Sequence, residues 1–126
     1  MTQKAFLTGS GVAGQAAQRI VGGVTGSSTA GLTATGSTQA TALPISDDIN
    51  VVTTAAASTG VILRNDLSQG DSQAVVNYGA NTLAVYPPVG GKINNAAANA
   101  ASNLATLKAG VFVSIDGINF FTVVSA

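Results

Sequence analysis

From residue 32 onward, apolar and polar residues interleave in short runs separated by Gly, Pro, Asn and Asp, which is the texture of β-strands and turns. "TQATALPI" (38–45) alternates as far as Pro44, which places its end at a sheet edge or turn. "INVVTTAAA" (49–57) is β-branched and reads as a buried strand, and "GVILR" (60–64) as a short apolar one. "SQAVVNY" (72–78) and "NTLAVYP" (81–87) flank Gly79-Ala80-Asn81 and read as a hairpin. A second hairpin is clearer: "GVFVSI" (110–115), then Asp116-Gly117, then "INFFTVV" (118–124). Asp-Gly supports the positive φ angles of a two-residue type I′ turn. Alternation puts Val111, Val113 and Ile115 on one face, and Ile118, Phe120, Thr122 and Val124 on one face of the return strand.

Two regions depart from this texture. "INNAAANAASNLATLKAG" (93–110) is Ala-rich enough for a helix on propensity. However, Asn94, Asn95, Asn99 and Asn103 interrupt it, and large apolar residues are missing before Leu104. An irregular loop leading into a strand at "LATLKA" is the favoured reading, with a short helix as the alternative. Residues 1–30 are small, Gly-rich and loosely patterned: "GVAGQAAQRIVGG" (11–23) is compatible with a helical turn or two, and "VTGSSTAG" (24–31) reads as a linker. The organisation is therefore a flexible N-terminal arm or tether over 1–30 and a β-domain over 31–126. Strands this short, with turn signals this frequent, indicate an all-β fold: a small antiparallel sandwich or barrel, jelly-roll-like.

Composition limits what such a domain achieves alone. Ala, Gly, Thr and Ser supply 62 of the 126 residues, against four Phe, two Tyr and no Trp. Large side chains are scarce, while ordering each residue costs roughly 1–2 kcal/mol. Association between copies, or with a larger assembly, supplies the missing burial. Only 8 % of residues are charged and the net charge is zero. That leaves no basic patch for nucleic acid and no polybasic run for anionic lipid, so neither nucleic acid nor membrane is an expected partner. No apolar stretch reaches the ~18 residues of a membrane span, and the first residues have no apolar core of a signal peptide.

Candidate chemistry is thin. Without His or Cys, the usual triads lack a base and zinc its commonest ligands. Asp47 and Asp48 are adjacent and would point to opposite faces of a strand; they read as caps for backbone N–H groups. Asp66 and Asp71 in "NDLSQGD" miss the spacing of a calcium loop. "GSGVAG" (9–14) lacks the strand, the Lys and the spacing of a phosphate loop. No catalytic residue, cofactor or metal site is expected. Tyr78 and Tyr86 are candidate interface anchors, since Tyr buries a rigid ring and keeps one polar atom. Phe120 and Phe121 are consecutive and must face opposite ways, one into the core and the other toward a second cover. With Phe6, Leu7, Ile20 and Val21 of the arm, these form the candidate subunit or partner interface.

The stretch from about Gly31 to Phe121 resembles a small β-structured module of tailed-bacteriophage virion proteins. The resemblance rests on "TQATALPI", "INVVTT", "GVILRNDLSQGDSQAVVNYGANTLAVYPPVGGKIN" and "VFVSIDGINFF". In this chain the Phe120-Phe121 pair stands where that module usually closes on an aromatic, often Trp, and the arm has no strong match. The resemblance implies a non-enzymatic virion component: a capsid cement or decoration protein on the capsid surface, homotrimeric, with the major capsid protein as partner. A receptor- or glycan-binding head-fibre or tail-fibre domain is the alternative.

Overall fold

The computed structural model of the protein describes residues 26–126; the expected arm, including Phe6, Leu7, Ile20 and Val21, lies almost wholly outside them. Nine strands are present among the described residues: β1 (Ser28–Thr33), β2 (Leu43–Pro44), β3 (Ile49–Thr54), β4 (Gly60–Ile62), β5 (Ser72–Asn77), β6 (Leu83–Tyr86), β7 (Ser102–Leu104), β8 (Lys108–Ser114) and β9 (Phe120–Val124). They make two open sheets, one in the order β1-β3-β5-β8-β9 and the other β2-β4-β6-β7. The fold is all-β, as its pattern predicts.

The connectivity differs from an antiparallel sandwich. The chain changes sheet after each of its first five strands, so β1, β3 and β5 stack in parallel, and β2, β4 and β6 do likewise in the other sheet. Parallel neighbours need a long crossover, a role usually filled by a helix. Here a short strand of the facing sheet fills it, giving a compact two-sheeted coil. The chain then reverses: β7 runs antiparallel to β6, β8 to β5, and β9 to β8. Both sheets are therefore mixed.

The core lies between the sheets. Val52, Val75, Phe112 and Phe120 from the five-stranded sheet meet Val61, Leu83, Val85 and Leu104 from the four-stranded one in a single buried cluster. Buried amides stitch its rim. Gln73 donates to the carbonyls of Ile45 (3.2 Å) and Asp47 (3.1 Å) and accepts from the Arg64 N–H (2.9 Å). Asn50 donates to the carbonyls of Asp47 (2.7 Å) and Ala74 (3.1 Å). Each amide satisfies backbone groups that turning loops would otherwise leave unpaired.

The expected hairpin over 72–87 is not one. Strand β5 pairs with β3 and β8, whereas β6 pairs with β4 and β7. The Gly-Ala-Asn turn is a corner that carries the chain from one sheet to the other. Asn77, fully buried, makes this corner: its Oδ1 accepts from the Gly79 N–H (2.8 Å), and its Nδ2 donates to the carbonyls of Asn81 and Leu104, both at 2.9 Å. Gly79 is required there, because a Cβ would stand 2.7 Å from the Ala55 backbone nitrogen.

Other boundaries shift for local reasons. Within 38–45, a 3-10 turn at Gln39–Thr41, closed by reciprocal bonding between Thr38 and Thr41, leaves only Leu43–Pro44 as strand. Part of the expected linker at 24–31 is instead β1, which adds to the edge of β3 through its backbone. The β8–β9 hairpin forms, but with the three-residue loop Asp116-Gly117-Ile118. The Ile115 N–H bonds the Asn119 carbonyl, and Gly117 alone has positive φ, at 102°. Over 93–110 the loop reading holds. Asn94, Asn95 and Asn99 adopt left-handed backbone, for which Asn is suited. The strand expected at "LATLKA" (104–109) is not one, because a turn over 105–107, with Leu107 at positive φ and the Lys108 N–H bonded to the Ala105 carbonyl, separates Ser102–Leu104 from a strand starting at Lys108.

Candidate interaction surface

Of the acidic side chains that invite a catalytic or metal reading, Asp66 and Asp71 have structural engagements; at Asp47 and Asp48 it is the backbone that bonds, to Asn50, Gln73 and Ser27, and among the described residues their carboxylates do not cap the N–H groups expected of them. Asp66 pairs with Arg64 at 2.8 Å, and Asp71 Oδ2 accepts the Ser68 N–H at 3.1 Å. The Arg64 guanidinium hydrogen-bonded to Asp66 holds that carboxyl below the usual carboxylate range. Asp116 is also held low, first by the Asn119 side-chain amide (2.7 Å) and then by the N–H groups of Asn119 and Ile118. Among the described residues no three acidic side chains converge as metal ligands.

The four expected interface residues that lie within the described chain do not share one surface. Phe120 is buried in the core and Phe121 is 54 % exposed on the opposite face, so the pair divides as its adjacency requires. Tyr78 is exposed just beyond β5, while Tyr86 sits in β6 of the other sheet, with its hydroxyl donating to the Ser37 carbonyl (3.3 Å) and its ring beside Gly60. Tyr86 is thus committed to its own fold, and the two tyrosines share no surface.

A larger feature surrounds Phe121. The outer face of the five-stranded sheet carries no charged residue along the row Ile49–Ala74–Val111–Val123, which crosses β3, β5, β8 and β9 in direct register. A second row, Ser72–Val113–Phe121, lies beside it, and Val51, Val76 and Ala109 extend the face on its other side. Ile49, Val111, Val113, Phe121 and Val123 are 37–73 % exposed. Alternation about Phe112 separates Val111 and Val113 from the core, but only the fold shows which face is inward. The signal was present in "VFV" and "FFTVV", where apolar residues fall on both faces of adjacent strands.

Two concavities border this face. An open cleft of about 700 Å³ includes Ser27, Asp48, Ile49, Arg64, Asp66, Asp71, Ala74 and Val111 in its lining, combining the end of the apolar row with a carboxylate rim. A smaller one, about 380 Å³, lies between Lys92, Asn95, Ile115, Asp116, Asn119 and the two phenylalanines.

Comparison with protein-family models, curated proteins and solved structures returns no match to this chain. The reading of its function rests on the geometry above.

Proposed function

We propose that this protein is a non-enzymatic structural component of a tailed-bacteriophage virion, a capsid cement or decoration protein that binds the capsid surface as a homotrimer and stabilises the shell. The observation that carries the reading is the uncharged apolar outer face of the five-stranded sheet. Large exposed apolar patches on small soluble domains mark association surfaces. Antiparallel sheets that stand free usually alternate apolar-in and polar-out, and β8 and β9 depart from that habit. A scaffold in which Asp66, Asp71 and Asp116 are taken up by turns and an ion pair suits a protein that works by adhesion. Three copies around one axis would multiply a weak contact through effective concentration.

The test uses particles stripped of this protein. Adding back the wild-type chain restores their heat resistance, whereas the double variant Val111→Glu, Val123→Glu, checked for its own folding, does not. Equal restoration by both, or by neither, refutes the proposal.

A receptor- or glycan-binding fibre domain is the second reading, and the cleft beside Phe121 favours it. An exposed ring next to the Asp116 carboxylate and the Asn119 amide offers one apolar platform and convergent polar groups. Glycan-array binding abolished by Phe121→Ala, with no affinity for capsids, would select this reading.

A further inference from the structure

The outer face of the five-stranded sheet needs a cover, and three observations identify one. The first is where the described chain begins. The Ser27 carbonyl accepts the Ile49 N–H (3.0 Å), its Oγ accepts the Asp48 N–H (3.2 Å), and Ser28 pairs with Ile49 in the sheet. The described chain therefore begins at the head of the row Ile49–Ala74–Val111–Val123.

The second is charge. Residues 1–25 contain Lys4 and Arg19 and no acid, a net charge of +2. Residues 26–126 contain Arg64, Lys92 and Lys108 against five Asp, a net charge of −2. Three of those carboxylates, Asp48, Asp66 and Asp71, rim the cleft at which the described chain begins, with Arg64 the single cation there.

The third is size. Strands β3 to β9 lie three spacings apart, about 14 Å from centre to centre. Twenty-five residues reach at most ~80 Å when extended, several times the width of the face. The segment also brings Phe6, Leu7, Ile20 and Val21.

We infer that in the free protein residues 1–25 lie across the outer face of their own five-stranded sheet, with the apolar residues on the Ile49–Val123 row and a cation at the carboxylate rim. The inference rests on reading this face as an association surface, and it makes the segment and the sheet one composite layer.

The chain has no Cys, so a single introduced thiol reports one position. Val123→Cys is placed in the otherwise wild-type full chain and in a full chain carrying Phe6→Asp, Leu7→Asp, Ile20→Asp and Val21→Asp. At low micromolar concentration and without capsids, the thiol reacts at least tenfold more slowly in the wild-type background. A control thiol at Val89, which is 76 % exposed on a loop, reacts equally in both and certifies the fold. The reciprocal probe is Val21→Cys, protected in the wild-type background and released by Val111→Asp with Val123→Asp. The pair Lys4→Glu, Arg19→Glu speeds reaction at Val123→Cys severalfold at low salt. Equal Val123→Cys rates in the two backgrounds overturn the inference. So does protection that vanishes on dilution, which would assign the cover to a neighbouring copy's segment. No capsid enters the measurement, so its failure is distinct from failure of the cement reading.

Discussion

Asn77 is the side chain whose loss is expected to damage this fold most for its size. It is fully buried and holds the corner between β5 and β6 through one accepted and two donated hydrogen bonds. Asn77→Ala removes all three and strands the Gly79 N–H and the carbonyls of Asn81 and Leu104. A buried polar group left without its partner costs about 1–3 kcal/mol, and partial relaxation of the corner lowers the sum toward the small end. The expected loss is about 4 kcal/mol, a large part of the ~5–15 kcal/mol that stabilises a typical domain. Urea unfolding followed by tyrosine fluorescence and circular dichroism measures it, with the m-value checked for constancy. A loss below about 1 kcal/mol would refute the assignment of the corner to this amide.

Asn77→Asp sharpens the test. The carboxylate still accepts from Gly79 but faces two carbonyl oxygens as a buried anion, which raises its pKa in the folded state. A raised folded pKa contributes stability that is fully present below the unfolded value, near 4, and is lost as pH rises through the folded value. The gap between this variant and the wild type should therefore narrow from pH 7 to pH 4. A constant gap would show that the corner does not sense the charge.

Phe120→Ser should cost about 3–5 kcal/mol in denaturant unfolding, whereas Phe121→Ser should stay within about 1 kcal/mol of wild type and act on association, read by sedimentation; equal unfolding by both would remove the two-sided reading of β9. Thr122 carries a buried hydroxyl with no partner, so Thr122→Val should raise stability by about 1 kcal/mol, and a loss of stability would mean the hydroxyl is bonded in solution. Asp66 and Asp116 have lowered folded pKa values, so their contribution is present above the unfolded value and lost as pH falls through the folded one. The melting temperature should drop below about pH 4, less steeply in Asp66→Asn and Asp116→Asn, and an unchanged acid slope in both would refute this.

Much of the β-structure was legible in the sequence, and the pairing was not. Strands β3, β4, β5, β6 and β9 lie where period-two alternation or β-branched runs place them, because that pattern reports a pleated backbone with one buried face. Partner choice leaves no such trace. Gly79-Ala80-Asn81 looks like a hairpin turn because a corner between facing sheets uses the same turn residues; the difference lies in Asn77, whose amide satisfies both sides of the corner. Strand β1 was hidden because its contribution is backbone hydrogen bonding at an edge, which Ser, Thr, Ala and Gly supply as well as any residue. Of the candidate interface, adjacency alone divided Phe120 from Phe121. Tyr78 and Tyr86 belonged to one hairpin only while β5 and β6 were taken as neighbours.

The allocation of bulk within β8 gives the strongest reason to seek the partner at one place. Its inward residues are Gly110, Phe112 and Ser114, and its outward ones are Ala109, Val111 and Val113. Two of three inward positions are small, while Val111 and Val113 outside are branched and apolar; β9 buries Phe120 but adds Phe121 and Val123 to the outer face. In a chain with only four phenylalanines, an exposed one is a large fraction of the bulky apolar surface. Each such side chain left in water forgoes about 1.5–3 kcal/mol of burial. A bare outer face would therefore sacrifice stability that the small core is poorly able to replace. On the proposed reading, a cover on β3, β5, β8 and β9 is part of the working state. Charges introduced at Val111 or Val123 should then affect assembly far more than the same charges at Val89, which is more exposed but stands alone on its loop.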